Sequence, residues 1–150
     1  MKRVLIYILL AMAAVLTPVE RSDLGKLKPV EVIYLGEDGE RVVIYTDTED
    51  MGSGTALEAA IENLKETTSG TIYLDTADYL LVAPGGEKWV SDIACHIKAS
   101  AYVCTAEAGM DIRKAATFLS VHTPQCRLKD WEKEGILQKL TMENSRYRLE

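Results

Sequence analysis

Apolar residues along the chain change their spacing several times, and each change predicts an element. PVEVIYL and RVVIYTDT, rich in β-branched and aromatic residues, flank Gly36-Glu37-Asp38-Gly39 and predict an N-terminal β-hairpin with Asp-Gly at its turn. The spacing then becomes helical. In GTALEAAIENLKE, Leu57, Ala60, Ile61 and Leu64 fall at i, i+3, i+4 and i+7, and Thr55 with Glu58 has the spacing of a capping box. Thr67-Thr68-Ser69-Gly70 stops this helix, because glycine accepts the left-handed conformation there. TIYL reads as a short strand, and the continuous run YLLVA as a strand covered on both faces.

Pro84-Gly85-Gly86 breaks the pattern before a second helix, whose stripe is Val90, Ile93, Ala94 and Ile97. AYVCTA is the next strand. A third helix, capped by Asp111, carries Ile112, Ala115, Ala116 and Leu119, and Pro124 limits its extension. DWEKEGILQKL predicts a weaker helix interrupted by Gly135, with Trp131, Ile136, Leu137 and Leu140 as its apolar positions, and Thr141 onward reads as a frayed end. The order β-β-α-β-β-α-β-α implies an α/β (α+β) fold: a mixed β-sheet with an N-terminal hairpin and three to four helices packed on it. The expected division is a leader over 1–19, a linker over 20–29, one α/β domain over 30–140 and a flexible tail over 141–150.

The leader lies outside this periodic scheme. Lys2 and Arg3 precede thirteen apolar residues, Val4 to Leu16, which show no polar face at a helical or strand period. Such a run falls short of the ~20 residues of a comfortable bilayer span and suits a signal peptide or a retained anchor. The basic start would stay inside and place the body outside the cytoplasm, membrane-anchored or secreted. A lipoprotein signal is unsupported, since no cysteine precedes Cys95.

Composition narrows the partners. The 150 residues are 47% hydrophobic and 27% charged, as in an ordinary globular domain that folds without a cofactor. Setting aside Lys2 and Arg3 leaves 15 basic against 23 acidic residues, or -8. A body of that charge repels phosphate backbones and anionic lipid, so no nucleic acid is expected as a partner, and membrane contact is expected through the N-terminal segment only.

Candidate chemistry is sparse. Cys95, Cys104 and Cys126 lack Cys-x-x-Cys spacing and read as small buried hydrophobes. Cys95 and His96 are helix neighbours about 100° apart and do not form the facing pair that activates a thiolate. With His122 they also lack zinc spacing. Asp47, Glu49 and Asp50 fall in one loop and Asp75 and Asp78 in another, without the spacing of an EF-hand, and read as a solvated acidic edge. A hydrolytic or redox site would need two or more of Cys95, His96, Asp75, Asp78 and His122 in one cleft. Gly52, Ser53, Gly54 and Thr55 open the best helix and form the candidate ligand-binding residues, since helix starts bind anions. They lack the lysine of a P-loop. No catalytic set and no metal site is expected, so the reading is of a non-enzyme.

One stretch carries a family resemblance. GSGTALEAAIENLKETTSGTIYLDTADYLLV, from Gly52 to Val82, resembles the N-terminal domain of the C-subunit of spore germinant receptors. Gly54, Thr55, Ala59, Ile61 and Leu64 take the positions of that family's Gly-x-Thr-x-x-x-Ala-x-x-x-Leu-type helix, and Ile72, Tyr73 and Leu74 precede the apolar run from Tyr79 to Val82. The similarity extends over residues 30–122. The chain departs from the family in lacking a lipid-attachment cysteine, in its length, and in Asp75-Thr76-Ala77-Asp78 replacing a histidine-containing turn. The resemblance implies a shortened, non-catalytic extracytoplasmic accessory or assembly module working beside integral membrane protein subunits, in spore germination or sporulation. The alternative from the residues themselves is a secreted small-ligand or anion-binding domain using Gly52 to Thr55.

Overall fold

The computed structural model describes residues 26–134, 137–143 and 146–150. The leader lies outside the described residues, as do Gly135 and Ile136. Strands β1 (Leu27–Pro29), β2 (Val32–Asp38), β3 (Arg41–Thr46) and β4 (Met51–Gly54) precede helix α1 (Leu57–Thr67). Then come β5 (Thr71–Tyr73), β6 (Tyr79–Val82), a one-turn helix α2 (Val90–Ile93), β7 (Tyr102–Ala106) and α3 (Ile112–Leu119). A second one-turn helix, α4 (Trp131–Glu134), leads to β8 (Lys139–Glu143) and β9 (Arg146–Leu149). Seven strands form one mixed sheet in the order β4-β3-β2-β6-β7-β8-β9, and β1 pairs with β5 apart from it. The expected α+β class, a mixed sheet with helices packed on it, is the observed one.

Parallel pairing runs through the middle of the large sheet, from β2 to β6 to β7 to β8, with antiparallel hairpins on both flanks. All four residues of β6 are buried, which is why YLLV is apolar without alternation. Leu80 and Val82 face a core built with Leu57, Ala60, Ile61 and Leu64 of α1 and Val90 and Ile93 of α2. Tyr79 and Leu81 face the opposite side, where Ala115, Ala116 and Leu119 of α3 cover them. The protein is therefore three layers, with α1, α2 and α4 on one face of the sheet and α3 on the other.

Four local expectations are corrected. The β2–β3 turn is tighter than Gly36–Gly39: Asp38 pairs with Arg41, leaving Gly39 and Glu40 as a two-residue loop with Gly39 at φ 63°. The second helix closes early, because after Ala94 the chain tightens to bonds from Cys95 N to Asp92 O and from His96 N to Ile93 O. Its apolar stripe still works, with Val90, Ile93 and Ile97 buried. Residues 27–29, assigned to a linker, pair with β5. The segment 141–150, read as a flexible tail, completes β8 and forms β9, with Leu140 opposite Leu149 and Met142 opposite Tyr147. Pairing on β7 and burial of Leu140 hold this hairpin, and neither is legible in its charged, weakly alternating sequence.

The largest correction concerns Gly52 to Thr55. Three of these residues lie on β4, paired with β3, and α1 starts at Leu57 with Ala56 as N-cap and no side-chain capping bond. Thr55 is exposed and is not a cap. The helix is instead laid against the strand: a Cβ on Gly52 would press on the Ala60 carbonyl and lie 2.5 Å from Leu64 Cβ, and one on Gly54 would lie 2.5 Å from the Ala60 amide. Glycine is required there by close approach of helix and strand.

Gly52→Ala and Gly54→Ala should each cost at least about 2 kcal/mol, since the clash is with helix backbone that cannot shift alone. Thr55→Ala should change stability by less than about 0.5 kcal/mol. Urea denaturation of the three variants checks this, and a Thr55→Ala loss as large as the glycine losses would restore the cap.

Candidate functional site

The parallel strands β2, β6 and β7 end on the same side of the sheet, but their continuations part. The chain leaving β6 runs through Ala83, Pro84, Gly85 and Gly86 to α2, on the face that α1 covers. The chain leaving β7 runs through Glu107, Ala108, Gly109 and Met110 to α3, on the other face. Loops that turn away to opposite faces leave a crevice over the strand ends, the usual place for a ligand in an open α/β sheet.

Here the crevice is a cleft of about 560 Å³, within the size range of small-molecule sites. Tyr34 and Gly36 of β2 and Val43 and Tyr45 of β3 line one side, while Ala83, Pro84, Ala108, Gly109, Met110 and Ile112 line the rest, and Glu37 and Asp38 stand at the hairpin end. Alternation explains the arrangement. On β2 the even-numbered positions and on β3 the odd-numbered ones point to the α3 face, and α3 does not extend over the hairpin as α1 does on the reverse side. Tyr45 therefore stays 37% exposed, and it meets the buried Tyr34 edge to face with ring centroids 5.9 Å apart.

The polar groups are few. The Tyr34 hydroxyl donates to the Glu107 carbonyl at 3.3 Å. Burial pushes its phenol above the usual value, the Gly109 backbone acts the other way, and Tyr45 adds to the rise. Tyr34 is thus a neutral hydrogen-bonding aromatic at physiological pH. Glu37 accepts from the Lys88 ammonium at 2.6 Å. Asp38 is exposed and makes no ion pair among the described residues. Among the described residues the lining holds no serine, threonine, cysteine, histidine, lysine or arginine. Such a site offers shape, aromatic surface and negative charge, without a nucleophile and base placed to act together.

The residues singled out from sequence lie elsewhere. Gly52, Ser53, Gly54 and Thr55 do not line the cleft: the two glycines face α1, and the Ser53 amide donates to Asn63 Oδ1 at 3.0 Å. Asp75 and His96 do meet, along a shallow groove of about 250 Å³ with Lys65, Ile72, Tyr73 and Leu74, but no hydrogen bond joins them. Cys95 is exposed, contrary to the expectation for all three cysteines, while Cys104 and Cys126 are buried. Burial pushes the Cys104 thiol up to about 12, so it remains an unreactive thiol. His122 stacks on Phe118 with centroids 4.3 Å apart.

The acidic loop turns out to organise backbone. Asp47 Oδ1 accepts from the amides of Glu31 and Val32, both at 3.0 Å, at the start of β2. Asp50 accepts from the Thr48 hydroxyl at 2.7 Å and pairs with Lys28 at 3.2 Å, and Glu49 pairs with Arg113 at 3.0 Å. Asp78 pairs with Lys98. Among the described residues no three potential ligands gather as a metal would need.

Tyr34 and Tyr45, the aromatic pair that lines the cleft, are the residues that sequence reading missed. Their signal was opposite parity on two antiparallel strands, which the two-residue turn brings opposite each other at Tyr34↔Tyr45. Comparisons with protein-family models, with curated proteins and with solved structures find no match for the chain.

Partial burial raises the Asp50 carboxyl, but the Thr48 hydroxyl and the Lys28 ammonium outweigh it and hold the group below its ordinary value. A lowered folded value means stability present above the unfolded value and lost as pH falls through the folded one. Asp50→Asn should therefore destabilise by about 1 kcal/mol at pH 7. Its deficit against the parent should begin to shrink as pH falls below the ordinary carboxylate value and close as pH falls through the lowered folded one. Thermal melts across pH read both, and a deficit unchanged at pH 2 would count against the ionised pair.

Proposed function

We propose that the chain is a non-catalytic binding module whose site is the cleft over the carboxyl ends of β2, β6 and β7, carried outside the cytoplasmic membrane by its N-terminal segment. The observation that carries the binding reading is the cleft itself: about 560 Å³ of largely apolar and aromatic surface where two loops part. The lining favours holding a molecule over transforming one, because among the described residues Asp38, the one lining acid without an ion pair, has no neighbour placed to share proton transfer.

The external location rests on Lys2, Arg3 and the apolar run Val4 to Leu16. Among the described residues no helix is long and apolar enough to cross a membrane, so the leader is the tether in this reading. The likeness of Gly52 to Val82 to the first domain of the germinant receptor C-subunit supports an accessory role beside integral membrane subunits, in germination or sporulation. The anion-binding reading of Gly52 to Thr55 loses ground to the cleft, since both glycines are occupied by α1.

Two measurements test this. A neutral aromatic probe such as 2-phenylethanol, titrated into isotopically labelled full-length protein, should shift the amides of Tyr34, Ala83 and Met110. Ala108→Trp, placing an indole at an exposed lining position, should weaken that binding at least about tenfold. Shifts confined to other regions would end the cleft reading. Separately, cell fractionation should recover the chain with the membrane or outside it, and its recovery from the cytosol with residues 1–19 intact would remove the tether.

A further inference from the structure

We infer that the cleft selects an organic cation: a small ammonium compound with an apolar or aromatic body. This rests on the binding reading above and adds the ligand's class.

Charge is the first argument. Among the described residues the cleft is lined by two carboxylates, of Glu37 and Asp38, and by no cationic side chain. Lys88 is committed to Glu37 at 2.6 Å, on the route toward α2, which leaves Asp38 as the unbalanced charge at the hairpin end. Arg41, opposite Asp38 in the β2–β3 register, makes no ion pair with it and does not line the cleft. The other acids around the rim are already engaged: Asp111 caps α3 by accepting from the Lys114 amide at 3.2 Å, and Glu107 pairs with Lys139 at 3.1 Å. An anion would meet repulsion from Asp38 and from a body of net -8, counted without Lys2 and Arg3.

The rings supply the second argument. Tyr34 and Tyr45 sit edge to face at 65°, and both rings line the cleft. A π-face attracts a cation, and aromatic walls with a nearby carboxylate are the way proteins recognise ammonium groups. The side chains of Val43, Ala83, Pro84 and Met110 suit a hydrocarbon body and offer no donor to a carboxylate or phosphate. In this arrangement the ammonium lies at the Asp38 end of the cleft, and the body runs along the tyrosines toward Met110.

Three probes of matched size separate ligand class from cleft: 2-phenylethylamine, 2-phenylethanol and 3-phenylpropionate, each titrated into labelled full-length protein at pH 7. The amine should bind about tenfold tighter than the alcohol, from an exposed ion pair plus a ring contact, and the acid most weakly. In Asp38→Asn the amine-to-alcohol affinity ratio should fall to about threefold. Equal binding of all three, or preference for the acid, with shifts still at Tyr34 and Met110, would overturn the cation reading and leave the cleft standing. No binding by any probe would overturn both.

Discussion

The structure depends on burying β6 on both sides. A strand whose four residues are all apolar and all inaccessible cannot sit at an edge or on a half-open sheet. It needs a parallel neighbour on each side, supplied by β2 and β7, and a helical layer on each face, supplied by α1 and α2 on one and α3 on the other. From that requirement the remaining geometry follows. Chains leaving adjacent strands for opposite layers must separate, and the space between them is the cleft.

Much of the architecture was legible because the strongest signals came from burial. The continuous run at Tyr79 to Val82, the i, i+3, i+4, i+7 stripe of α1 and the Asp111 cap of α3 each reflect one dominant local interaction, and all appear as expected. What escaped reading was set by tertiary contact. Gly52 and Gly54 look like the loop before a helix, and only the proximity of α1 reveals that they are a strand worn down to backbone. Residues 141–150 are rich in charge, and their strand character comes from β7 and from Leu140 beneath them. The cleft was illegible for the same reason, since its walls come from three separate stretches that share no motif.

Acidic residues show how one composition serves different ends. Asp47 closes the amides at the start of β2, Asp50 holds Lys28, and Glu37 holds Lys88, so much of the negative charge is structural. Asp38 differs in that its carboxylate makes no ion pair among the described residues, although its backbone closes the β2–β3 hairpin. It stands at the hairpin end of the cleft that the two tyrosines line.

The far rim of the large sheet has its own consequence. Along β9, Arg146 and Arg148 alternate with the half-buried Tyr147 and Leu149, so both guanidinium groups project from the same face of the last strand. Two molecules brought together rim to rim in antiparallel register would set these cations against their own copies. The β9 edge thus carries a built-in deterrent to pairing with its own copy.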